Sequence, residues 1–366
     1  MNMNGNSAKK TLLSLSRRFP AVLVTGPAGC GKETLTRECF PEKNYINLED
    51  PAVRRIARTS PKTFLMAFRN GAVINEINLI PGMLEAVRYH VDRSAAEPGR
   101  FILTGTGKGA TTEEMDDRMG RLELLGMSVG DMEMEKLSTY NPFQIMLGGQ
   151  MPEILGLEVS VKALVDRILE KLIRGSINIS NLPVFRHFLE VCAAHSARPF
   201  SMNALARESG VSAPTAKTWL QLLRESDVVT AMNPCYFFTD TGILCHLLGI
   251  SSMEELILSP YRTCVTKTFA VNELLRGRNY RLLDKDLGVS GTADFSAVWK
   301  ERYEMLVDPN IEVTEETKAR IASFGESSGK KILVLYLGDV TYSMGSTDCI
   351  SFRDWAKLAA GIDYFS

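Results

Sequence analysis

Four histidines and seven cysteines are all that this 366-residue chain holds of the strongest metal ligands. The cysteines, at positions 30, 39, 192, 235, 245, 264 and 349, form no CxxC pair, and the histidines that follow two of them, His195 after Cys192 and His246 after Cys245, stand alone without a second ligand pair. That scatter excludes a zinc cluster or a disulfide framework of ordinary spacing and suits reduced thiols in the cytoplasm. Charge of one sign is equally lacking: 42 Lys and Arg against 43 Asp and Glu leave a net charge of -1. No global basic surface therefore announces a polyanion, and any nucleic-acid contact must come from a local patch. Long apolar runs are missing too. The N-terminus, MNMNGNSAKKTLLSLSRRF, has no signal core, and no later stretch approaches the roughly 20 apolar residues of a membrane span. A cytoplasmic chain with no membrane contact is expected, and neither repeats nor low-complexity segments interrupt it.

At this length two or three domains are expected. From Ala21 to about Gly130, short apolar strands alternate with helical stretches, the pattern of a parallel sheet wound with helices. The strands are Ala21–Thr25, Tyr45–Leu48, Ala72–Ile74 and Phe101–Thr104. Between about Val161 and Gly249 the apolar residues follow helical spacing instead: VKALVDRILEKLIRG, LPVFRHFLEVCAAHS, MNALARESG and SAPTAKTWLQLLRES. The remainder mixes a helix, TKTFAVNELLRG, with strands TADFSAVW, YEMLVD and KKILVLYLG. The expected division is 1–135, 136–250 and 251–366, with fold class α/β throughout apart from the helical middle.

Gly26, Pro27, Ala28, Gly29, Cys30, Gly31 and Lys32 match GxxxxGK, directly after a buried strand and before a helix starting near Lys32. Glycines let main-chain N–H groups turn inward around phosphate oxygens, the helix offers its positive end, and the lysine reaches the outer phosphates. A glycine-rich turn without a ligand is the alternative. Thr34 completes the expected nucleotide-contacting stretch. The residue after the lysine is ordinarily Ser or Thr, whose hydroxyl holds Mg²⁺; here it is Glu33. A carboxylate there either ligates Mg²⁺ itself or repels the triphosphate, at about 4 kcal/mol for charges about 4 Å apart in an effective dielectric of about 20.

The strand AVI ends on Asn75-Glu76, where a P-loop ATPase has an Asp for the metal shell and a Glu to polarise water. Glu33 adds the carboxylate that Asn75 removes. The paired changes read either as a relocated metal ligand or as a decayed site. Thr104, ending the strand ILT, is a candidate sensor of the terminal phosphate, and Arg118 and Arg121 in DDRMGR are candidate charge-stabilising arginines. Each has a plainer alternative, a strand end or a solvated helix-end side chain.

The runs RRFPAVLVTGPAGCGKETL, YINLEDPAVRR, AVINEINLIPGMLEAVRYHVD and PGRFILTGT resemble, in order, the prokaryotic AAA-type P-loop ATP-binding proteins with a C-terminal domain of unknown function, number 4143. NISNLPVFRHFLEVCAAHSARPFSMNALARESGVSAPTAKTWLQLLRESDVV is similar to their winged-helix segment, and FFTDTGILCHLLGI to their YFYDTGLA stretch. The chain departs from the family at Glu33, at Asn75 and in a shorter linker before FFTDTG. The resemblance implies a P-loop NTPase sheet, a winged-helix-like module and a small restriction-endonuclease-like α/β domain, with ATP and Mg²⁺ as cofactors. In that last domain a helix Glu, a strand Asp and an E-x-K gather metal, which would fall on Glu273, Asp294 and Asp308-Pro309-Asn310. The lysine is missing, and a strand proline would disturb the ladder.

Met202 to Glu225 has helix-turn-helix form, with Ser212 as cap of the second helix. Thr215, Lys217, Thr218, Gln221 and Arg224 are its candidate DNA-facing residues. An ATP-binding AAA-like protein with weak or slow hydrolysis is the functional expectation. The alternatives are an inactive scaffold for a protein partner or for self-association, and a DNA-binding regulator.

Overall fold

The structure is a computed structural model that describes residues 6–93, 97–107, 118–131, 141–152, 160–175, 179, 181–278, 287–288, 294–298, 302–324 and 331–355. The chain divides into two compact units, Met1–Gly126 with Arg224–Asp227, and Met127–Leu223 with Val228–Ser366.

The first unit is a five-stranded sheet of β1 (Ala21–Gly26), β2 (Asn44–Asn47), β3 (Ala72–Asn75), β4 (Phe101–Thr106) and β5 (Met119–Glu123). Its order is β2-β3-β4-β1-β5 and its pairings are parallel. Helices α1 (Asn6–Ser16), α2 (Lys32–Cys39), α3 (Pro51–Thr59), α4 (Pro61–Met66) and α5 (Met83–Arg93) join or flank the strands. Strands covered on both faces read as unbroken apolar runs, and Ala21–Val24 and Phe101–Leu103 are buried throughout. Leu23, Ile46, Ile74, Phe101 and Leu103 share one core with Met83, Val87 and Val91, a stripe of α5 at four-residue spacing. Helix starts are written locally. Asp50 accepts from the Ala52 N–H at 2.8 Å ahead of Pro51, and Ser60, extended before Pro61, separates α3 from α4.

Strand β5 corrects the helix-end reading of DDRMGR. It is an edge strand beside β1, with Gly120 and Leu122 buried and Arg121 and Glu123 exposed. A Cβ at Gly120 would lie 2.9 Å from the Phe19 ring, so the residue that weakens the strand signal is the one that close packing requires.

The second unit contains α6 (Pro142–Gly148), α7 (Val161–Gly175), α8 (Leu182–His195), α9 (Met202–Glu208) and, up to Leu223, α10 (Ala213–Glu225). A hairpin of β6 (Val229–Met232) and β7 (Cys235–Phe238) follows, then α11 (Thr241–Leu247), α12 (Met253–Leu258) and α13 (Arg262–Arg278). A six-stranded mixed sheet comes last, made of β8 (Leu287–Gly288), β9 (Phe295–Val298), β10 (Arg302–Asp308), β11 (Lys331–Tyr336), β12 (Tyr342–Met344) and β13 (Thr347–Ile350). Its order is β12-β13-β11-β10-β9-β8, and α14 (Glu315–Ser323) links the parallel pair β10 and β11. Pro309 does not disturb the ladder, because β10 ends at Asp308, still in register with Tyr336. Among the described residues no helix is long and apolar enough to cross a membrane.

Candidate functional site

The loop from Gly26 to Gly31 is shaped by its glycines. Gly26 has φ 149°, and a Cβ there would lie 2.0 Å from the Leu124 carbonyl oxygen; Gly29 and Gly31 have φ 84° and 87°. L side chains avoid those angles, so the sequence dictates the turn. Gly31 leaves α2 without a side-chain cap. Among the described residues nothing accepts a hydrogen bond from the main-chain N–H of Gly29, Gly31, Lys32 or Glu33. Gly26 to Lys32 are all buried, so the donors of Gly29, Gly31 and Lys32 crowd the positive end of α2 in the protein's own interior, with Glu33 exposed beside them.

Lys32 is turned into this loop. Its Nζ donates to the Gly26 oxygen at 2.9 Å and the Pro27 oxygen at 2.8 Å, and it lies 3.8 Å from Cys30 Sγ. Cys30 and Ala28 are buried fillers, whereas Thr34 is exposed on the first turn of α2. Glu33, expected to hold a metal, is bonded along its own helix: its Oε1 is 2.9 Å from Arg37 Nε. The Arg37 guanidinium lies 3.4 Å over the Tyr45 ring. Burial raises the Tyr45 phenol above its ordinary value, and the neighbouring Glu33 carboxylate raises it further.

Asn75, Glu76 and Thr104 meet at the carboxyl ends of β3 and β4, with β4 standing between β3 and the loop-bearing β1. Asn75 Oδ1 accepts the Thr104 hydroxyl at 2.5 Å, and its Nδ2 donates to Asn47 Oδ1 at 3.1 Å. The Thr104 hydroxyl also accepts the Glu76 N–H at 3.1 Å, so it is used inside the site and is not held out to a ligand. Glu76 adopts a left-handed φ of 58° and is buried. Its carboxylate accepts from the Thr106 N–H at 3.2 Å and from the Thr106 hydroxyl at 2.6 Å. Asn47 carries no signal in the sequence, whereas Thr106, two residues along β4 from Thr104 and so on the same face, belongs to the same hydroxyl-bearing strand end ILTGT.

The two arginines are not gathered here. Arg118 lies 3.5 Å from Asp92 of α5, and Arg121 sits in mid-β5, exposed and in register with Leu23. The acidic residues before Arg118 in DDRMGR lie outside the described residues.

The expected nuclease-like carboxylates are separated into three networks. Glu273 accepts from the Val129 N–H at 2.9 Å and Gln150 Nε2 at 2.6 Å, beside Arg276 at 3.4 Å, and burial pushes its carboxyl up. Asp294 faces Lys267 at 2.6 Å, both nitrogens of the Arg320 fork and the Val307 N–H. Asp308 accepts from Asn310 and from the N–H and hydroxyl of Thr314, each of the latter at 2.8 Å. Among the described residues no group of three His, Cys, Asp or Glu is arranged to hold a metal. The expected three-carboxylate site is therefore corrected: each acid has been taken up by local donors.

The stretch FFTDTG is likewise structural. Asp240 caps α11 by accepting from the Ile243 N–H at 3.1 Å, and its other oxygen takes the Gln150 N–H at 2.7 Å. Gln150 continues to Glu273 and Arg276, and Arg276 returns to the Thr239 carbonyl at 3.2 Å.

A family model described as an AAA domain matches residues 18–133, and one described as a domain of unknown function (DUF8612) matches residues 142–236. The second differs from the domain of unknown function that the sequence resemblance suggested. Uncharacterized proteins of Mycobacterium tuberculosis and Mycobacterium bovis are each 26% identical over 288 residues, which is 70% of this chain and 62% of theirs. The chain thus spans about three-fifths of the length of those curated relatives. Among solved structures, a Walker-type ATPase of Pyrococcus abyssi aligns with TM-score 0.43 and 14% identity over 66% of this chain and 95% of its own. RuvB of Thermotoga maritima aligns with TM-score 0.35 and 16% identity, covering 63% and 89%. With a glycine-shaped loop between the first strand and α2 of a parallel sheet, and the family match across it, residues 18–133 are an AAA-type P-loop ATPase domain.

Proposed function

We propose that this domain binds ATP through the loop Gly26–Lys32 and hydrolyses it slowly. The observation that carries the reading is the row of unpaired N–H groups at the buried Gly29, Gly31 and Lys32 beside a buried ammonium. Buried donors without acceptors are rare, and a phosphate group supplies several acceptors and a compensating charge. In this reading Lys32 exchanges its two carbonyl partners for phosphate oxygens, Thr34 lines the rim, and Glu76 polarises water. Low turnover follows from Thr106 holding both Glu76 oxygens and from Glu33 and Asn75 standing where metal-holding groups belong. Calorimetric titration of the full chain with ATP tests it. Lys32→Ala should weaken binding by at least about tenfold, near 1.4 kcal/mol; unchanged affinity would remove the loop from the account.

A second reading has its own support. Helices α8, α9 and α10 followed by the β6–β7 hairpin have the order of a winged helix, and α10 exposes Lys217, Thr218, Gln221 and Arg224. A DNA-binding regulator would show a salt-dependent gel shift that Lys217→Glu with Arg224→Glu abolishes, and no shift at low salt rules it out. We further propose the three-part division 1–135, 136–250 and 251–366. The order α13, β9, β10 supports a restriction-endonuclease-like last part, used as scaffold, since its carboxylates are engaged elsewhere. Seven free thiols support a cytoplasmic setting.

A further inference from the structure

We infer that the loop takes its nucleotide without a divalent cation, with Asn75 supplying a hydrogen-bond donor where a metal ion would otherwise bridge protein and phosphate. The inference rests on the phosphate-binding reading above and specifies the ligand as a metal-free nucleoside di- or triphosphate.

A P-loop site offers a cation three protein positions: the residue after the lysine, the end of the third strand and the acid beside it. Here they are Glu33, Asn75 and Glu76, and each is committed elsewhere. Glu33 is bonded to Arg37 four residues on, which draws its carboxylate toward the C-terminal end of α2, whereas the loop lies at the N-terminal end. Glu76 gives both oxygens to Thr106.

Asn75 is the decisive residue, because its orientation is fixed by its neighbours. Asn47 Oδ1 accepts the Glu49 N–H at 3.0 Å, so Asn47 turns an oxygen toward Asn75. Asn75 must then present its NH₂ to that oxygen and its own oxygen to Thr104. Two amides and a hydroxyl thereby form a neutral chain across the carboxyl ends of β2, β3 and β4. One N–H of Nδ2 is spent on Asn47, and the second has no acceptor among the described residues. An amide N–H repels a cation and attracts an anionic oxygen. An aspartate at this position would face the Asn47 oxygen with a negative charge, so the Asn47–Asn75 pair is built for the amide and is not an eroded carboxylate. The residues present do not fit Mg²⁺.

The test is titration of the full chain with ATP in excess EDTA and again in excess Mg²⁺. Affinity within about threefold between the two conditions is expected. Binding tighter by about tenfold or more with Mg²⁺ would overturn the metal-free inference and leave the phosphate loop standing. No binding in either condition would overturn both. As a second arm, Asn75→Asp should weaken binding in EDTA and recover with added Mg²⁺. An Asn75→Asp protein that binds as the parent does in EDTA would contradict the donor role.

Discussion

At the scale of single residues, the site is decided by which side chains are already engaged. Lys32 sits on two carbonyls of its own loop, Glu33 on Arg37, Asn75 between Asn47 and Thr104, and Glu76 on Thr106. Glu33→Thr together with Asn75→Asp should restore the hydroxyl and the carboxylate that the chain lacks. Phosphate release from ATP is then expected to rise at least about tenfold over the parent and to depend on Mg²⁺, a change of about 1.4 kcal/mol in barrier. Turnover unchanged in the double variant would show that Thr106, not the missing ligands, limits the reaction. The loop itself was legible in the sequence because glycine spacing and strand-loop-helix context report backbone geometry directly. The partners were not. Asn47 lies 28 residues from Asn75 and Thr104 lies 29 from it, and nothing local in the sequence marks pairings that only strand register creates.

Among elements, those with strong periodicity were readable and those set by tertiary contact were not. The helical spacing of VKALVDRILEKLIRG gives α7 to the residue, and AVLVT gives β1 short of one glycine. Strand β5 hides because Gly120 and two charged residues leave only Met119 and Leu122 as apolar signal. The hairpin of β6 and β7 runs directly into FFTDTG, whose Asp240 acts as a helix cap. Asp240→Ala removes the α11 cap and orphans the buried Gln150 N–H. It should cost about 2–4 kcal/mol in urea unfolding. A loss below about 0.5 kcal/mol would refute the structural role of FFTDTG.

The elements around Asp294 predict a pH dependence. Burial pushes its carboxyl up, but Lys267 of α13, Arg320 of α14 and the Val307 N–H outweigh that and hold it below the ordinary 3.8. A folded-state value below the unfolded one stabilises fully above the unfolded value and is lost as pH falls through the folded one. Asp294→Asn should therefore flatten the acid limb of the urea midpoint below about pH 5. An acid limb as steep as the parent's would contradict the assignment.

At the scale of the whole molecule, the fold says where the cysteines lie. All seven cysteines are free, and six are buried, with Cys39 partly exposed. Burial pushes the Cys192 thiol up to about 12 and Cys264 to about 11. Ellman titration of the native chain should find one fast thiol, Cys39, and all seven after denaturation. Three or more fast thiols in the native state would contradict this packing. The two-unit architecture leaves the phosphate loop wholly within the first unit. In the proposed reading, the unpaired amides and self-bonded lysine of that loop are a phosphate site at rest. A crystal structure of the chain with ATP tests it most directly: Lys32 Nζ is expected to have left Gly26 and Pro27 for a phosphate oxygen, with the Gly29, Gly31 and Lys32 N–H groups on the same anion. Lys32 still on its two carbonyls, with nucleotide bound elsewhere or not at all, would contradict the account.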